Sequence, residues 1–251
     1  MALETMGLIA WVEEKRRTAV EAGASSIPTP KYRCELCRDT GQIVSRIPND
    51  PLGIRVKECS CAIERRSRAR IERSGLADVL NRYTFESYQV LDSQHKAIKD
   101  AAMRYAKQAQ NEWFVIIGRP GSGKTHICTA IVSRLMERGL NCKYMLWRDE
   151  VRELKSLVND DAAYKQKMDE LKNVAVLYID DFFKGNITDG DKNVAFELLN
   201  SRYNQRLRTI ISGERSIEQL MEVDEAIGSR IYERSKNGYC LASPGNNWRL
   251  S

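Results

Sequence analysis

The sequence predicts an α/β protein in which a parallel sheet is flanked by helices and preceded by a small cysteine-rich module. Three observations carry this expectation. Short apolar stretches at 113–117, 142–147, 174–179, 209–212 and 239–242 alternate with longer segments of helical spacing. That is the pattern of parallel strands joined by crossover helices. A glycine-rich run, Gly118-Arg119-Pro120-Gly121-Ser122-Gly123-Lys124-Thr125, stands directly after the first stretch. Four cysteines, Cys34, Cys37, Cys59 and Cys61, are grouped upstream of all five stretches.

Residues 1–30 read as a helix and a linker. Leu8, Trp11 and Val12 lie near one face of a helix over 3–22, and Glu13, Glu14, Lys15, Arg16 and Arg17 follow. Ser25, Ser26, Pro28 and Pro30 mark the linker at 23–30. The helix suits a partner or packing on its own protein. Residues 31–62 form the cysteine module. Cys34-x2-Cys37 and Cys59-x-Cys61 supply four thiolates, enough to close a tetrahedral Zn²⁺ site. The region holds no histidine, so the site is all-cysteine. Turns at 38–41 and 49–53 and short strands at 43–45 and 54–56 give a zinc-ribbon-like layout. A redox pair or unrelated thiols are the other readings of these cysteines. With little core of its own, such a module draws folding energy from the metal. Cys128, Cys142 and Cys240 fall in apolar stretches and read as core. Residues 63–82 are an Arg-rich connector, helical over 62–73, which suits a phosphate backbone or a solvated face.

Residues 83–251 form the nucleotide-binding domain. Tyr83 or Phe85 would cover the nucleotide base or belong to the core, and a helix follows over 92–110. The run at 118–125 is the G-x-x-x-x-G-K-T phosphate-binding loop, or Walker A motif. Gly121 and Gly123 let backbone N–H groups face phosphates, and the following helix N-terminus adds partial positive charge. Lys124 reaches the β- and γ-phosphates, the Thr125 hydroxyl ligates Mg²⁺, and His126 completes the binding stretch. ATP and Mg²⁺ are the expected ligands. A second apolar strand covers 142–147, and 149–172 is helical. The strand at 174–181 ends in Asp180-Asp181, the Walker B pattern. Asp180 would hold Mg²⁺, and Asp181 is placed to orient or deprotonate the attacking water. A helix over 189–208 leads to the strand at 209–212. Its end, Gly213-Glu214-Arg215, offers a polar group to the γ-phosphate or a capped turn before the helix at Ser216. A last helix carries Arg230 and Arg234.

Composition narrows the class. Hydrophobic residues are 42% and charged residues 29% of the 251, which are globular values. The formal charge of +6 is compatible with nucleic acid and equally with a solvated surface. No apolar run approaches the roughly 18–20 residues of a membrane span, and no secretory signal is evident. Seven cysteines beside a phosphate loop point to a reducing, cytoplasmic setting.

Taken together, the loop at 118–125, Asp180-Asp181, the strand end at 209–215 and Gly228-Ser229-Arg230 resemble AAA+ ATPases. More closely, residues 31–251 resemble bacterial and phage replicative helicase loaders of the DnaC/DnaI type, which are related to IstB-like ATP-binding proteins. The cysteine module, the Arg-rich helix and Asn81-Arg82-Tyr83-Thr84-Phe85 share in that resemblance. It implies an ATPase that loads a replicative DNA helicase onto single-stranded DNA, with ATP binding and hydrolysis as the assembly and release switch in a homo-oligomer. It also implies that Arg230 is an arginine finger reaching a neighbouring subunit's γ-phosphate. Glu214 stands where the family often has asparagine, Asp181 is shorter than the family's usual glutamate, and the helical lid is not expected. Three competing readings remain: an IstB-type transposition helper, a zinc and nucleic-acid-binding protein whose loop only binds nucleotide, and a metabolic kinase. The last would need a separate small-substrate domain.

Overall fold

The computed structural model describes residues 32–48, 53–71, 80–108 and 111–244. The predicted helix at 3–22, the linker at 23–30 and most of the turn at 49–53 lie outside them. The chain divides into two compact units, Met1–Thr40 and Gly41–Ser251. In the first, residues 35–39 form a turn in which the Asp39 carboxylate accepts from the amides of Arg33 and Cys34.

The second unit opens with an antiparallel hairpin, β1 (Gln42–Arg46) and β2 (Ile54–Glu58). Helix α1 (Ser60–Ile71) follows. It does not stand free as a connector. Its buried Ser67 hydroxyl lies 3.2 Å from the Asn141 side chain and accepts from the Cys142 amide, fixing α1 to the start of the strand at Cys142–Leu146. The arginines flank that contact: Arg66 pairs with Glu58 at 2.7 Å and Arg68 donates to Asn81.

The remaining elements alternate as expected. They are α2 (Ser93–Gln108), β3 (Phe114–Ile117), α3 (Lys124–Glu137), β4 (Cys142–Leu146), α4 (Trp147–Ser156), α5 (Asp161–Asn173) and β5 (Val176–Phe182). Then come α6 (Asp189–Asn204), β6 (Arg208–Gly213), α7 (Ile217–Val223), α8 (Glu225–Ser235) and β7 (Cys240–Ala242). The five strands β3 to β7 form one parallel sheet in the order β4-β5-β6-β3-β7. Alternate side chains of each strand feed two cores. Phe114 and Ile116 pack with Ile98, Tyr105, Ile127 and Leu135 of α2 and α3. Val115 points the other way, among Leu154, Leu171, Leu198 and Ile231 from α4, α5, α6 and α8. Burial on both faces is what the continuous apolar strands require. Cys128 and Cys142 are fully buried, as expected, while Cys240 is half-buried.

Two boundaries differ from the sequence reading. The helical stretch at 149–172 is two helices, because the Asp160 carboxylate accepts from the Ala163 amide and starts α5 afresh. The helix expected to reach 208 ends at Asn204. Arg206 turns left-handed (φ 54°), and pairing with Val176 recruits Arg208 into β6.

Candidate nucleotide site and cysteine cluster

Strand β3 ends at Ile117 and the chain turns at once into the glycine loop. Gly121 and Gly123 have φ of 77° and 83°, values that any side chain at these positions would resist. No side chain caps α3 at Gly123, so the amides of its first turn are left to an anion. A cavity of about 320 Å³ opens over the loop, lined by residues 120–126 with Tyr83, Asp181, Lys184 and Glu214. Gly118 and Arg119 contribute through their carbonyls, each accepting from Lys124 Nζ at 2.8 Å. Lys124 is 6% exposed. Burial lowers its pKa, against the opposing charges of Glu214, Asp181 and Asp180. The buried Ser122 hydroxyl donates to no partner among the described residues. A loop with these donors fits a chain of phosphates.

Asp180 sits under the loop. The Thr125 hydroxyl is 3.4 Å from its Oδ2, so hydroxyl and carboxylate can share one cation. Ser212 Oγ donates to Asp180 Oδ1, and Tyr144 donates to Oδ2 at 3.3 Å. Burial raises the Asp180 pKa, with the bonds from Ser212, Tyr178 and Tyr144 and the charge of Asp181 as smaller influences. A divalent cation beside it would favour the ionised form again.

The register of β5 on β6 decides where the two acids point. Ile179 pairs with Ile211 and Phe182 with Gly213, so the chain bulges at Asp180-Asp181 opposite Ser212. The bulge puts Asp181 at φ 54°, a conformation held at a cost for a residue with a side chain. Its amide is 3.1 Å from Asp180 Oδ1 and 3.3 Å from Ser212 Oγ. Its carboxylate then turns into the cavity, where Lys184 Nζ lies 2.8 Å from Asp181 Oδ2 and 3.5 Å from Glu214 Oε1.

On the opposite wall His126 stacks on Tyr83, with centroids 4.6 Å apart and an interplanar angle of 13°. Its Nε2 is 2.9 Å from the Thr84 carbonyl and 3.1 Å from Ser87 Oγ. Of the two aromatic candidates for the base, Tyr83 lines the cavity, while Phe85 is a core residue at 4% exposure.

Arg230 is not brought to this cavity. On α8 its guanidinium lies 5.3 Å from the Phe196 ring centre and 5.6 Å from that of Tyr203, and it donates to the Ala226 carbonyl at 2.7 Å. Arg234, one turn on, also lies over Tyr203 and donates to the Asn111 carbonyl.

Cys34 and Cys37 lie in the first unit, and Cys59 and Cys61 in the second. Thiols spaced as Cys-x2-Cys and Cys-x-Cys are the donor set that Zn²⁺ takes, with Zn–S bonds of about 2.3 Å.

Sequence reasoning missed three residues of the nucleotide site. Tyr144 and Ser212 reach Asp180 from neighbouring strands, and Lys184 reaches Asp181 from the loop after β5. Glu214, read from its place at a strand end, acquires a partner in Lys184. No helix among the described residues is long and apolar enough to cross a membrane.

Comparison with known proteins places this geometry. The family model for IstB-like ATP binding protein matches residues 54–237. The phage-like element PBSX protein XkdC of Bacillus subtilis (strain 168) is 32% identical over 237 residues, 88% of this chain and 86% of XkdC. The replicative helicase loader DnaC of Escherichia coli (strain K12) is 26% identical over 191 residues, 72% of this chain and 76% of DnaC. A crystal structure of DnaI superposes with a TM-score of 0.56 at 21% identity, covering 68% of this chain and 92% of that one. The shared fold is the parallel five-stranded sheet flanked by helices.

Proposed function

We propose that this chain, which belongs to the family of IstB-like ATP binding proteins and is an AAA+ ATPase of the helicase-loader type, loads a replicative DNA helicase onto single-stranded DNA. ATP binding assembles subunits of this chain in the cytoplasm, and hydrolysis releases them. The observation that carries the reading is the likeness to DnaC over 76% of that loader's length, in a chain whose phosphate loop and strand-end Asp181 line one cavity, with Asp180 beside Thr125 beneath the loop.

The residues divide the work as follows. The backbone of 118–123 cradles phosphate oxygens, and His126 with Tyr83 forms the wall beside them. Lys124 leaves the Gly118 and Arg119 carbonyls for the β- and γ-phosphates. Thr125 and Asp180 hold Mg²⁺, which supplies charge neutralisation along the phosphates. Asp181, aimed by the bulge, accepts a hydrogen bond from the attacking water and orients it. Arg230, outside its own cavity, offers its guanidinium to the γ-phosphate of a neighbour.

The chain is organised as residues 1–30, a zinc module over 31–62, the Arg-rich helix over 63–82 and the ATPase domain over 83–251. Cys34, Cys37, Cys59 and Cys61 hold the zinc, which stabilises the module that meets the helicase. Protein purified without added metal should carry about one zinc per chain by elemental analysis. Strong chelation should abolish cooperative unfolding of the module. A metal-free protein whose module still unfolds cooperatively would remove zinc from this account.

The test of the whole reading is co-elution. The chain should elute with a replicative helicase in ATP·Mg²⁺ and apart from it in ADP. Single-stranded DNA should bind more tightly with ATP, and that affinity should fall steeply with salt, as phosphate contacts dictate. Helicase retention identical in ATP and ADP would sink the switch. Membership of the IstB-like family keeps one second reading, an IstB-type ATPase that helps a transposase; ATP-dependent retention of a transposase in place of the helicase would select it.

A further inference from the structure

Lys184 belongs to two cavities at once. It lines the nucleotide cavity and also a neighbouring one of about 430 Å³, where Arg148, Arg152, Lys155 and Thr188 stand around it. The second cavity is strongly basic. Asp191 is the acid on its wall, and that carboxylate is already held by Lys155 at 3.1 Å and by the Thr188 amide at 2.8 Å. Lys155 and the Thr188 hydroxyl are spent on Asp191, and Arg152 lies 3.9 Å from the Asp149 carboxylate. Arg148 and Arg152, with Lys184 at the border and the Asn186 side chain beside it, are the chemistry that receives phosphate groups.

The loop that carries Lys184 is built to hold it between the two. Phe183 and Gly185 are both left-handed, at φ 53° and 86°. Arg215 grips the loop from the end of β6, donating to the carbonyls of Phe183 and Gly185 at 3.1 Å each. The Lys184 amide closes the turn on the Asp181 carbonyl at 3.1 Å. The backbone is therefore pinned, and the side chain alone is left to choose between acids on one side and an anion on the other. As it stands Lys184 is spent on Asp181 and Glu214.

We propose that Lys184 is a latch on Asp181, and that phosphate groups of a single nucleic-acid strand entering the Arg148–Arg152 cavity draw it away and raise ATP hydrolysis. The inference rests on the reading of the chain as an ATPase that meets DNA. Lys184 acts through Asp181, as a positioning residue. While the ammonium sits 2.8 Å from Oδ2, that oxygen is shared with it and is a poorer acceptor for water. A phosphodiester in the basic cavity competes for the same ammonium at short range, and Asp181 is left to the water.

The experiment is ATP hydrolysis by the full chain, with and without oligo(dT), with inorganic pyrophosphate as a second arm. Release of one half-exposed ion pair should raise the rate by about two- to fivefold. The double variant Arg148→Gln, Arg152→Gln should keep its basal rate and lose the rise. Lys184→Met should run without oligo(dT) at or above the stimulated wild-type rate and respond no further. Lys184→Arg, which restores the cation, should recover the low basal rate. ATP affinity measured on each variant separates a latch from a damaged fold. A Lys184→Met rate below the wild-type basal rate, with ATP still bound, would overturn the latch. Stimulation intact in the arginine double variant would overturn the cavity, and a rise with pyrophosphate alone would overturn the strand as its occupant. ATP-dependent co-elution with the helicase without any rise on DNA would refute this inference and leave the loader reading standing. Loss of co-elution with the rise intact would do the reverse.

Discussion

Lys124→Ala should weaken ATP·Mg²⁺ binding by about ten- to a hundredfold. Hydrogen bonds from a charged donor contribute about 1.5–3 kcal/mol each when their partner has nowhere else to turn, and 1.4 kcal/mol is a factor of ten. The side chain is buried at the base of the cavity, 2.8 Å from two loop carbonyls. Removing it also frees the Gly118 and Arg119 carbonyls, so some loss of stability without nucleotide is expected. Titration calorimetry with a non-hydrolysable analogue reads the affinity, and a thermal melt without ligand reads the fold. Wild-type affinity in a normally melting variant would remove the phosphate role from Lys124.

Arg230→Ala should bind ATP as wild type does and lose its turnover, by a factor on the order of a thousand where trans-acting arginines are the precedent. The expectation follows from where the guanidinium lies. It is absent from the cavity of its own chain and is held on α8 against Phe196 and Tyr203. Those rings leave the guanidinium partly exposed, and each contact contributes only about 0.5–1 kcal/mol at such a site. Folding should therefore tolerate the substitution, whereas the proposed contact with a γ-phosphate across an interface should not. Turnover of wild-type protein should rise with protein concentration, and that of the variant should not. Mixing Arg230→Ala with Lys124→Ala should restore part of the rate, since one chain brings an intact cavity and the other an intact arginine; a misfolded chain would not be rescued. Activity equal to wild type at every concentration would exclude Arg230, and Arg234 would be next in line.

The first expectation was legible before any fold was known, because its motif carries its own local geometry, whereas the role of Arg230 came from the family resemblance alone. A strand, two glycines, a lysine and a helix are consecutive in sequence and close in space for that reason alone. The acids of Asp180-Asp181 were legible for the same reason, as the polar end of an apolar strand. The parallel sheet was legible because strands buried on both faces are apolar throughout, and the alternation of lengths implies crossovers. Boundaries were read less well where a single side chain settles them, as the Asp160 cap does between α4 and α5.

The sequence by itself determined the class of fold, the phosphate loop, the strand-end acids and the four cysteines. Tertiary structure alone decided what surrounds them. Strand order β4-β5-β6 sets Tyr144 and Ser212 on either side of Asp180, from positions 36 residues before it and 32 after it. The bulge opposite Ser212 turns Asp181 into the cavity, and nothing in the local sequence marks it. Arg202 is the clearest case. A helix surface would be the default place for an arginine, yet its guanidinium is fully buried. It donates to the carbonyls of Leu171, Val174 and Arg208 and to the Thr209 hydroxyl. Burial pulls its pKa down to about 9. The carbonyls it satisfies are the loose ends of α5 and the starts of β5 and β6, which meet only when the sheet has formed. Side-chain chemistry is written residue by residue, but the partners of a buried charge are chosen by register and packing over long separations, and these exist only in the folded chain.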